Sequence, residues 1–210
     1  MPPTSRYAKA HESLQSPGDA RPTALQIVNN EGRENDLQGK VVLITGCLFG
    51  IGIEDVYDFP KAELALHDLV DSPRVHLLHL DLNTVDSVYA CVEKFKPKSA
   101  SLNILIENAG VLACPQDRTA EKFEKNFGTN HLAHLLLFYL LKSVLLLSST
   151  SAFQSRVVIV SSNAYRLTSV RFDNLSLEGK YDHWRAYSQQ NGKYMDSKLC
   201  QKSIRITRTA

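Results

Sequence analysis

A glycine-rich turn follows an apolar segment near the start of the chain and reads Thr45-Gly46-Cys47-Leu48-Phe49-Gly50-Ile51-Gly52. Glycine at 46 can turn tightly off a strand, and glycines at 50 and 52 let the backbone approach an anionic group. A helix that begins there would offer free N–H groups and its positive dipole end to phosphates. The turn therefore predicts a pyrophosphate site. It is not a P-loop, because no Lys-Ser or Lys-Thr pair follows the last glycine.

Apolar runs and helical patterns alternate along the chain. Four runs are typical of buried parallel strands: Val41–Thr45, Val75–Leu80, Leu102–Ile106 and Val157–Val160. Helical patterns occur at Lys61–Val70, Thr84–Phe95 and Thr119–Leu147, the last with a break near Gly128. Alternation of this kind predicts right-handed crossovers. We therefore expect an α/β fold, a three-layer Rossmann-like doubly wound parallel sheet.

Polar groups and glycines follow three of these strands. Asp81-Leu82, Asn108-Ala109-Gly110 and Ser161-Ser162 each stand directly after an apolar run or at its end. Open α/β sheets bind their ligands at the carboxyl ends of the strands. We therefore expect these segments to converge on the glycine turn at one edge of the sheet.

Composition excludes several other classes of protein. The net charge is +2 and no Lys/Arg block occurs, so nucleic acid is not an expected partner. Leu135–Leu147 is interrupted by Lys142 and is shorter than the ~20 apolar residues of a spanning helix, so we expect a buried interface helix and no membrane span. The N-terminus lacks a secretory signal and the four cysteines lack metal-site spacing, which favours a cytoplasmic protein.

These motifs, taken in order, closely resemble the short-chain dehydrogenase/reductase family. The segments GTNHLAHLLLFYLL and RFDNLSLEGKYDHWRAY resemble its retinol-dehydrogenase-like and WW-domain-oxidoreductase-like branch in a fungal form. The resemblance implies an enzyme that uses NAD or NADP, with a preference for NADP, to interconvert alcohols and carbonyl compounds. The expected substrate is therefore a small molecule.

The resemblance also implies roles for particular residues. Asn130 would anchor a proton-relay water, Ser162 would orient the substrate, and Tyr187 would be the catalytic acid–base. The cofactor would be bound by Gly46, Cys47, Phe49, Gly50, Ile51, Gly52, Asp81, Leu82, Asn108, Ala109 and Gly110. Glu107 departs slightly from the family, in which Asn usually precedes the Asn-Ala-Gly segment.

Two further departures bear on activity. Only Glu54–Pro60 separates the turn from the next helical pattern, which is too short for a crossover helix and a second strand. Where the family has Lys four residues after the Tyr, this chain has Asn191. A phenol, with its ordinary pKa near 10, needs such a cation to act at neutral pH. Tyr194 with Lys198 offers an alternative Tyr-x-x-x-Lys pair.

These departures leave two functions open. The first is an NAD(P)-dependent oxidoreductase that is impaired in this chain. The second is a catalytically dead fragment or a non-catalytic binding or dimerisation module, with Leu135–Leu147 as the surface of a homodimer. We expect an extended arm at 1–39, a Rossmann-like domain at 40–190 and a tail unlike the family at 191–210, with the second strand and the family's C-terminal strands missing.

Overall fold

The computed structural model describes residues 7–11, 20–32, 37–46, 74–111, 117–160 and 204–205. Its contacts divide the chain into two compact units, Met1–Lys40 and Val41–Ala210. The domain boundaries predicted from the sequence stay predictions.

The first unit contains a 3₁₀-helix at Ala8–His11 and helix α1 at Ala24–Asn30. Helix α1 begins at a capping box, in which Gln26 N–H donates to Thr23 Oγ1 at 3.2 Å and Thr23 N–H donates to Gln26 Oε1 at 2.8 Å. These two bonds fix the residue at which α1 begins.

The second unit is built on a sheet whose strands are β1 at Val42–Ile44, β2 at Ile104–Glu107, β3 at Arg156–Ile159 and β4 at Ile204–Arg205. The strand order is β1-β2-β3-β4. β1 and β3 each pair with β2 in parallel, and β4 pairs with β3 in antiparallel orientation. The predicted α/β fold with a parallel sheet is confirmed, and three of the four predicted strands occur within two residues of their expected bounds.

Helix α2, at Val85–Phe95, packs through an apolar face against the helix at Ala133–Leu147. Val88, Cys91, Val92 and Phe95 are buried and recur at helical spacing. Thr84 precedes the helix, as expected, but its side chain makes no capping hydrogen bond. Instead, the Glu121 carboxylate accepts from the Val85 N–H at 2.7 Å, so a distant loop caps α2.

Helix α3, at Lys125–Leu147, is longer than any other helix of the described residues. It starts as an α-turn at Lys125–Phe127, passes through a π-helix at Gly128–Leu132 and continues as α-helix at Ala133–Leu147. The expected break near Gly128 is this π-turn. The predicted start at Thr119 was wrong, because the chain first makes a turn that is closed by a bridge between Arg118 and Glu124.

Opposite faces of α3 differ in exposure. Leu137, Leu141 and Leu145 are fully buried against the sheet and α2, whereas Tyr139 is 71% exposed. By length and composition α3 could cross a membrane, as the core helix of a soluble protein also could. The buried face of α3 belongs to the core of the domain.

The segment Val75–Leu80 was predicted to be a strand, but it belongs to no strand of the described sheet. Leu78 and Leu80 pack against the core while His79 between them is exposed, and such alternation is typical of a strand. The predicted helix Lys61–Val70 lies outside the described residues. So does Glu54–Pro60, the segment that is predicted to be too short for a second strand. Among the described strands, β1 has a partner on one side only.

Candidate functional site

Thr45, the first residue after β1, joins three elements through its hydroxyl. The residue is 4% exposed. Its Oγ1 accepts hydrogen bonds from the N–H groups of Asn108 and Ala109, at 3.0 and 3.1 Å, and lies 3.0 Å from His134 Nε2. The end of β1, the segment after β2 and helix α3 therefore meet at one buried oxygen.

Gly46 lies where the chain leaves β1, and it needs the absence of a side chain for two reasons. Its φ is +64°, a left-handed conformation that residues with a Cβ rarely adopt. A Cβ at this position would also lie only 2.6 Å from the Cα of Ala109. The predicted role of Gly46 as the tight turn off the strand is therefore consistent with the backbone.

The Asn108 side chain holds this turn from the neighbouring strand. Its Nδ2 donates to the carbonyl oxygen of Thr45 at 3.2 Å and to that of Gly46 at 2.9 Å. These bonds tie the segment after β2 to the end of β1. The same amide compensates two carbonyl dipoles at the edge where an anion is expected to bind.

Asn130 lies within the π-turn of α3 and is fully buried. Its side chain pairs with both backbone groups of Val111, which follows the Asn-Ala-Gly segment. π-turns often occur at functional sites. Gly128, at the start of this one, packs so closely on Thr119 that a Cβ would overlap the Thr119 methyl group. A buried glycine contact thus sets the position of Asn130.

His134 is a residue whose part in this site sequence reasoning missed. Its side chain is fully buried. Its Nδ1 lies 3.1 Å from the backbone oxygen of Asn130 in addition to the contact of Nε2 with Thr45. A signal was present, because residues four apart share a helix face and His134 stands four after Asn130.

Asp81 and Leu82 have structural roles in the loop that enters α2. Asp81 Oδ1 accepts from the Asn83 N–H at 2.8 Å, and the Asp81 N–H donates to Ser87 Oγ at 2.8 Å. Leu82 is 3% exposed and packs in the same core cluster as Ala109. The Leu82 side chain therefore belongs to the core, and its backbone is the part that a ligand could contact.

Comparison with known proteins assigns the chain to a family. The model of the short chain dehydrogenase family matches residues 40–173. The chain belongs to this family. It is 42% identical over 196 residues to the short-chain dehydrogenase/reductase prx1 of Penicillium roqueforti, covering 87% of this chain and 58% of that protein. It is 40% identical over 168 residues to retinol dehydrogenase 12 of Homo sapiens, covering 72% and 52%.

The relatives also define what part of a family member is present here. The chain spans a little more than half the length of the curated relatives it matches. A solved structure of an uncharacterised protein from Mycobacterium paratuberculosis superimposes with a TM-score of 0.55 at 28% identity, over 78% of this chain and 59% of that one. The expected family and its NAD(P)-binding Rossmann fold, with retinol-dehydrogenase-like relatives, are confirmed.

Other predicted site residues of this short-chain dehydrogenase lie outside the described residues. They are Cys47, Phe49, Gly50, Ile51, Gly52, Ser162, Tyr187 and the alternative pair Tyr194 and Lys198. The structure thus brings together Thr45, Gly46, the segment Asn108–Gly110 and Asn130, and the roles of the others stay predictions.

Several titratable groups of the described residues have shifted pKa values. Burial lowers the pKa of His131, one turn before His134 on α3, and raises the pKa of the Cys91 thiol inside α2. A hydrogen bond from Lys125 lowers the pKa of the exposed Asp117 carboxyl.

Within the described ranges, no group of three or more His, Cys, Asp or Glu side chains is placed to hold a metal ion.

Proposed function

We propose that this chain is an NAD(P)-dependent oxidoreductase of the short-chain dehydrogenase family that interconverts an alcohol and a ketone or aldehyde. The observation that carries the proposal is the turn at Thr45 and Gly46, which hydrogen bonds and close packing fix to the segment after β2. This turn lies at the carboxyl ends of two neighbouring parallel strands, where α/β sheets bind dinucleotides.

The described part of the turn fits a dinucleotide. Gly46 leaves the backbone free of a side chain, and Asn108 occupies the carbonyl oxygens of Thr45 and Gly46 that would otherwise repel phosphate. We propose that the cofactor is bound by Gly46, Cys47, Phe49, Gly50, Ile51, Gly52, Asp81, Leu82, Asn108, Ala109 and Gly110. NADP is the proposed cofactor, with NAD as the alternative. When bound, the nicotinamide supplies the hydride chemistry.

Asn130, Ser162 and Tyr187 are the proposed catalytic residues. Asn130 is supported by its position beside the Asn-Ala-Gly segment, to which its amide is bonded through Val111. Tyr187 would transfer the proton of the substrate oxygen, which Ser162 would orient. Because Asn191 stands where a cation is needed, turnover is proposed to be impaired, by about 10²-fold or more for a weakened acid–base.

Two measurements test this function. Titration calorimetry with NADPH and NADH measures cofactor binding, and the absorbance of the reduced nicotinamide follows reduction of a panel of aldehydes and ketones. Binding of NADPH supports the proposal, and turnover that Tyr187→Phe abolishes while Tyr194→Phe leaves unchanged supports the proposed tyrosine. The reverse pattern would assign catalysis to Tyr194 with Lys198. Absence of binding to either cofactor would contradict the proposal.

A non-catalytic dimerisation module is the second candidate. Leu135, Tyr139 and Leu147 are 50%, 71% and 69% exposed on one helix, a large apolar area for a solvated surface. A second copy of this chain is the proposed occupant, in keeping with the homodimer surface expected at Leu135–Leu147. Analytical ultracentrifugation of the wild type and of Tyr139→Glu tests it, with a dimer that the substitution dissociates as the supporting result. A wild-type monomer would contradict it.

The proposed location is the cytoplasm. Cysteines spaced without pairs and a buried, free Cys91 support this location. Fractionation of cells that express a tagged chain would test it. Recovery of the protein in the membrane pellet would contradict the proposal.

A further inference from the structure

Both ring nitrogens of His134 are engaged inside the domain. Nδ1 lies 3.1 Å from the backbone oxygen of Asn130, and Nε2 lies 3.0 Å from the hydroxyl of Thr45. The imidazole is fully buried. It therefore connects the π-turn that carries Asn130 to the residue that precedes Gly46.

The partners determine which nitrogen carries the proton. A backbone carbonyl oxygen only accepts, so Nδ1 must be the protonated nitrogen that donates to Asn130. The Thr45 hydroxyl already accepts two backbone N–H groups, those of Asn108 and Ala109, with its two lone pairs. Its own proton must then go to Nε2, which accepts it. Only the neutral Nδ1–H tautomer satisfies all four bonds.

We infer that His134 is a positioning residue, which fixes the Thr45 hydroxyl so that the glycine turn and the Asn-Ala-Gly segment keep their spacing for the dinucleotide. This inference deepens the proposed function and rests on it. The hydroxyl can rotate about its Cβ–Oγ1 bond, and the lone pairs face Asn108 and Ala109 only when the proton has an acceptor on the other side. Nε2 of His134 is that acceptor.

Substitution can separate the two nitrogens. In His134→Gln the side-chain oxygen can reach the place of Nε2 and accept from Thr45, whereas in His134→Asn the shorter amide can reach only the place of Nδ1. We expect His134→Asn to weaken NADPH binding by about tenfold, the equivalent of one lost buried hydrogen bond. His134→Gln should bind within about threefold of the wild type, because it keeps the bond to Thr45.

The matched control is His131→Gln, which changes the neighbouring histidine of α3 and none of the groups that bond to Thr45. It should bind NADPH as the wild type does. A turnover number that stays constant in His134→Asn while the KM for NADPH rises would place the effect on the cofactor site. A general loss of structure would instead lower the affinity of both His134 variants equally, and that result would contradict the inference.

Nitrogen NMR of the imidazole provides a test that needs no cofactor. We expect ¹⁵N shifts of the neutral Nδ1–H form for His134 at neutral pH, and faster hydrogen exchange of the Asn108 and Ala109 amides in His134→Asn than in His134→Gln. A doubly protonated ring, an Nε2–H tautomer or equal exchange in the two variants would overturn the inference. If the wild type fails to bind NADPH, the proposed function fails, and these NMR results still decide the role of His134.

Discussion

Asn130 and Val111 are joined by a pair of hydrogen bonds. The Asn130 Oδ1 accepts from the Val111 N–H at 2.8 Å, and the Asn130 Nδ2 donates to the Val111 carbonyl oxygen at 2.9 Å. The side-chain amide thus both accepts from and donates to the backbone of one residue, as a paired residue of a neighbouring strand does in an antiparallel sheet. It ties the π-turn of α3 to the segment that follows β2, and both donor and acceptor are needed.

Replacement of Asn130 by Asp should therefore be strongly destabilising. A carboxylate still accepts from the Val111 N–H, but it cannot donate to the Val111 carbonyl oxygen and it buries a charge. We expect a loss of about 3 kcal/mol in the free energy of unfolding, measured by urea denaturation. Asn29→Asp, at an exposed position of α1, is the control and should change it little. Equal stability of Asn130→Asp and the wild type would contradict the assigned pairing.

Gly46→Ala tests whether the glycine turn is set by packing as well as by backbone conformation. A residue with a Cβ at this left-handed position costs about 1–2 kcal/mol. Contact with Ala109 should add to that cost. Gly39 is a matched control, since its φ is +69° and a Cβ added there would have nothing within 4 Å. Thermal unfolding should show a larger loss for Gly46→Ala than for Gly39→Ala, and similar losses would exclude a packing requirement.

Leu137 and Leu135 lie on opposite faces of α3 and offer a test of the core with the same chemical change. Leu137 is fully buried and Leu135 is 50% exposed. Leu137→Ala should lower the free energy of unfolding by about 2–5 kcal/mol through loss of burial and the cavity left behind. Leu135→Ala should change it by about 0.5 kcal/mol or less. Urea denaturation of both variants measures the difference, and equal losses would show that the inward face is misassigned.

His131 predicts a pH dependence of stability. Burial lowers the pKa of His131 in the folded state below its unfolded value, which is about 6.5. On acidification through about pH 6.5 the unfolded chain therefore binds more protons than the folded chain, and stability falls. Above that range both states are neutral at this residue and it has no effect.

Comparison of the wild type with His131→Gln isolates that contribution. Free energies of unfolding measured between about pH 7.5 and about pH 5.5 should fall less steeply in the variant, because the group that takes up the proton is gone. The other acidic and basic groups contribute equally to both proteins. A variant with the same or a steeper slope would show that burial of His131 does not oppose its protonation.

The sequence predicted the elements whose signals are local. β1, β2 and β3 were predicted from continuous apolar runs, because a strand that is buried on both faces consists mainly of apolar residues. Helix α2 was predicted from apolar residues at helical spacing, because only one of its faces is buried. Val75–Leu80 was also predicted as such a run, yet it joins no strand of the described sheet. An apolar run indicates that a segment is buried. Whether that segment also forms strand hydrogen bonds depends on which other segment lies beside it.

The candidate site was predicted only in part, because some of its contacts join segments that are distant in the sequence. The positions of Gly46, Asn108 and Asn130 followed from motifs, and the structure brings them together around Thr45. The contact of His134 with Thr45 spans 89 positions of the sequence and depends on the register between α3 and β1. No periodicity of either segment encodes that register, so a histidine on an apolar helix face could be predicted to be buried but not to be bonded.

The shared hydroxyl of Thr45 also restricts how this sequence can evolve. Serine is the other residue that could offer the same oxygen and proton at position 45, whereas an apolar substitute there would leave Nε2 of His134 without its donor. A residue at 134 with no acceptor in the place of Nε2 would, in turn, leave the Thr45 hydroxyl proton without a partner. Substitutions at these two positions should therefore be epistatic, so that the effect of a change at one of them depends on the residue at the other.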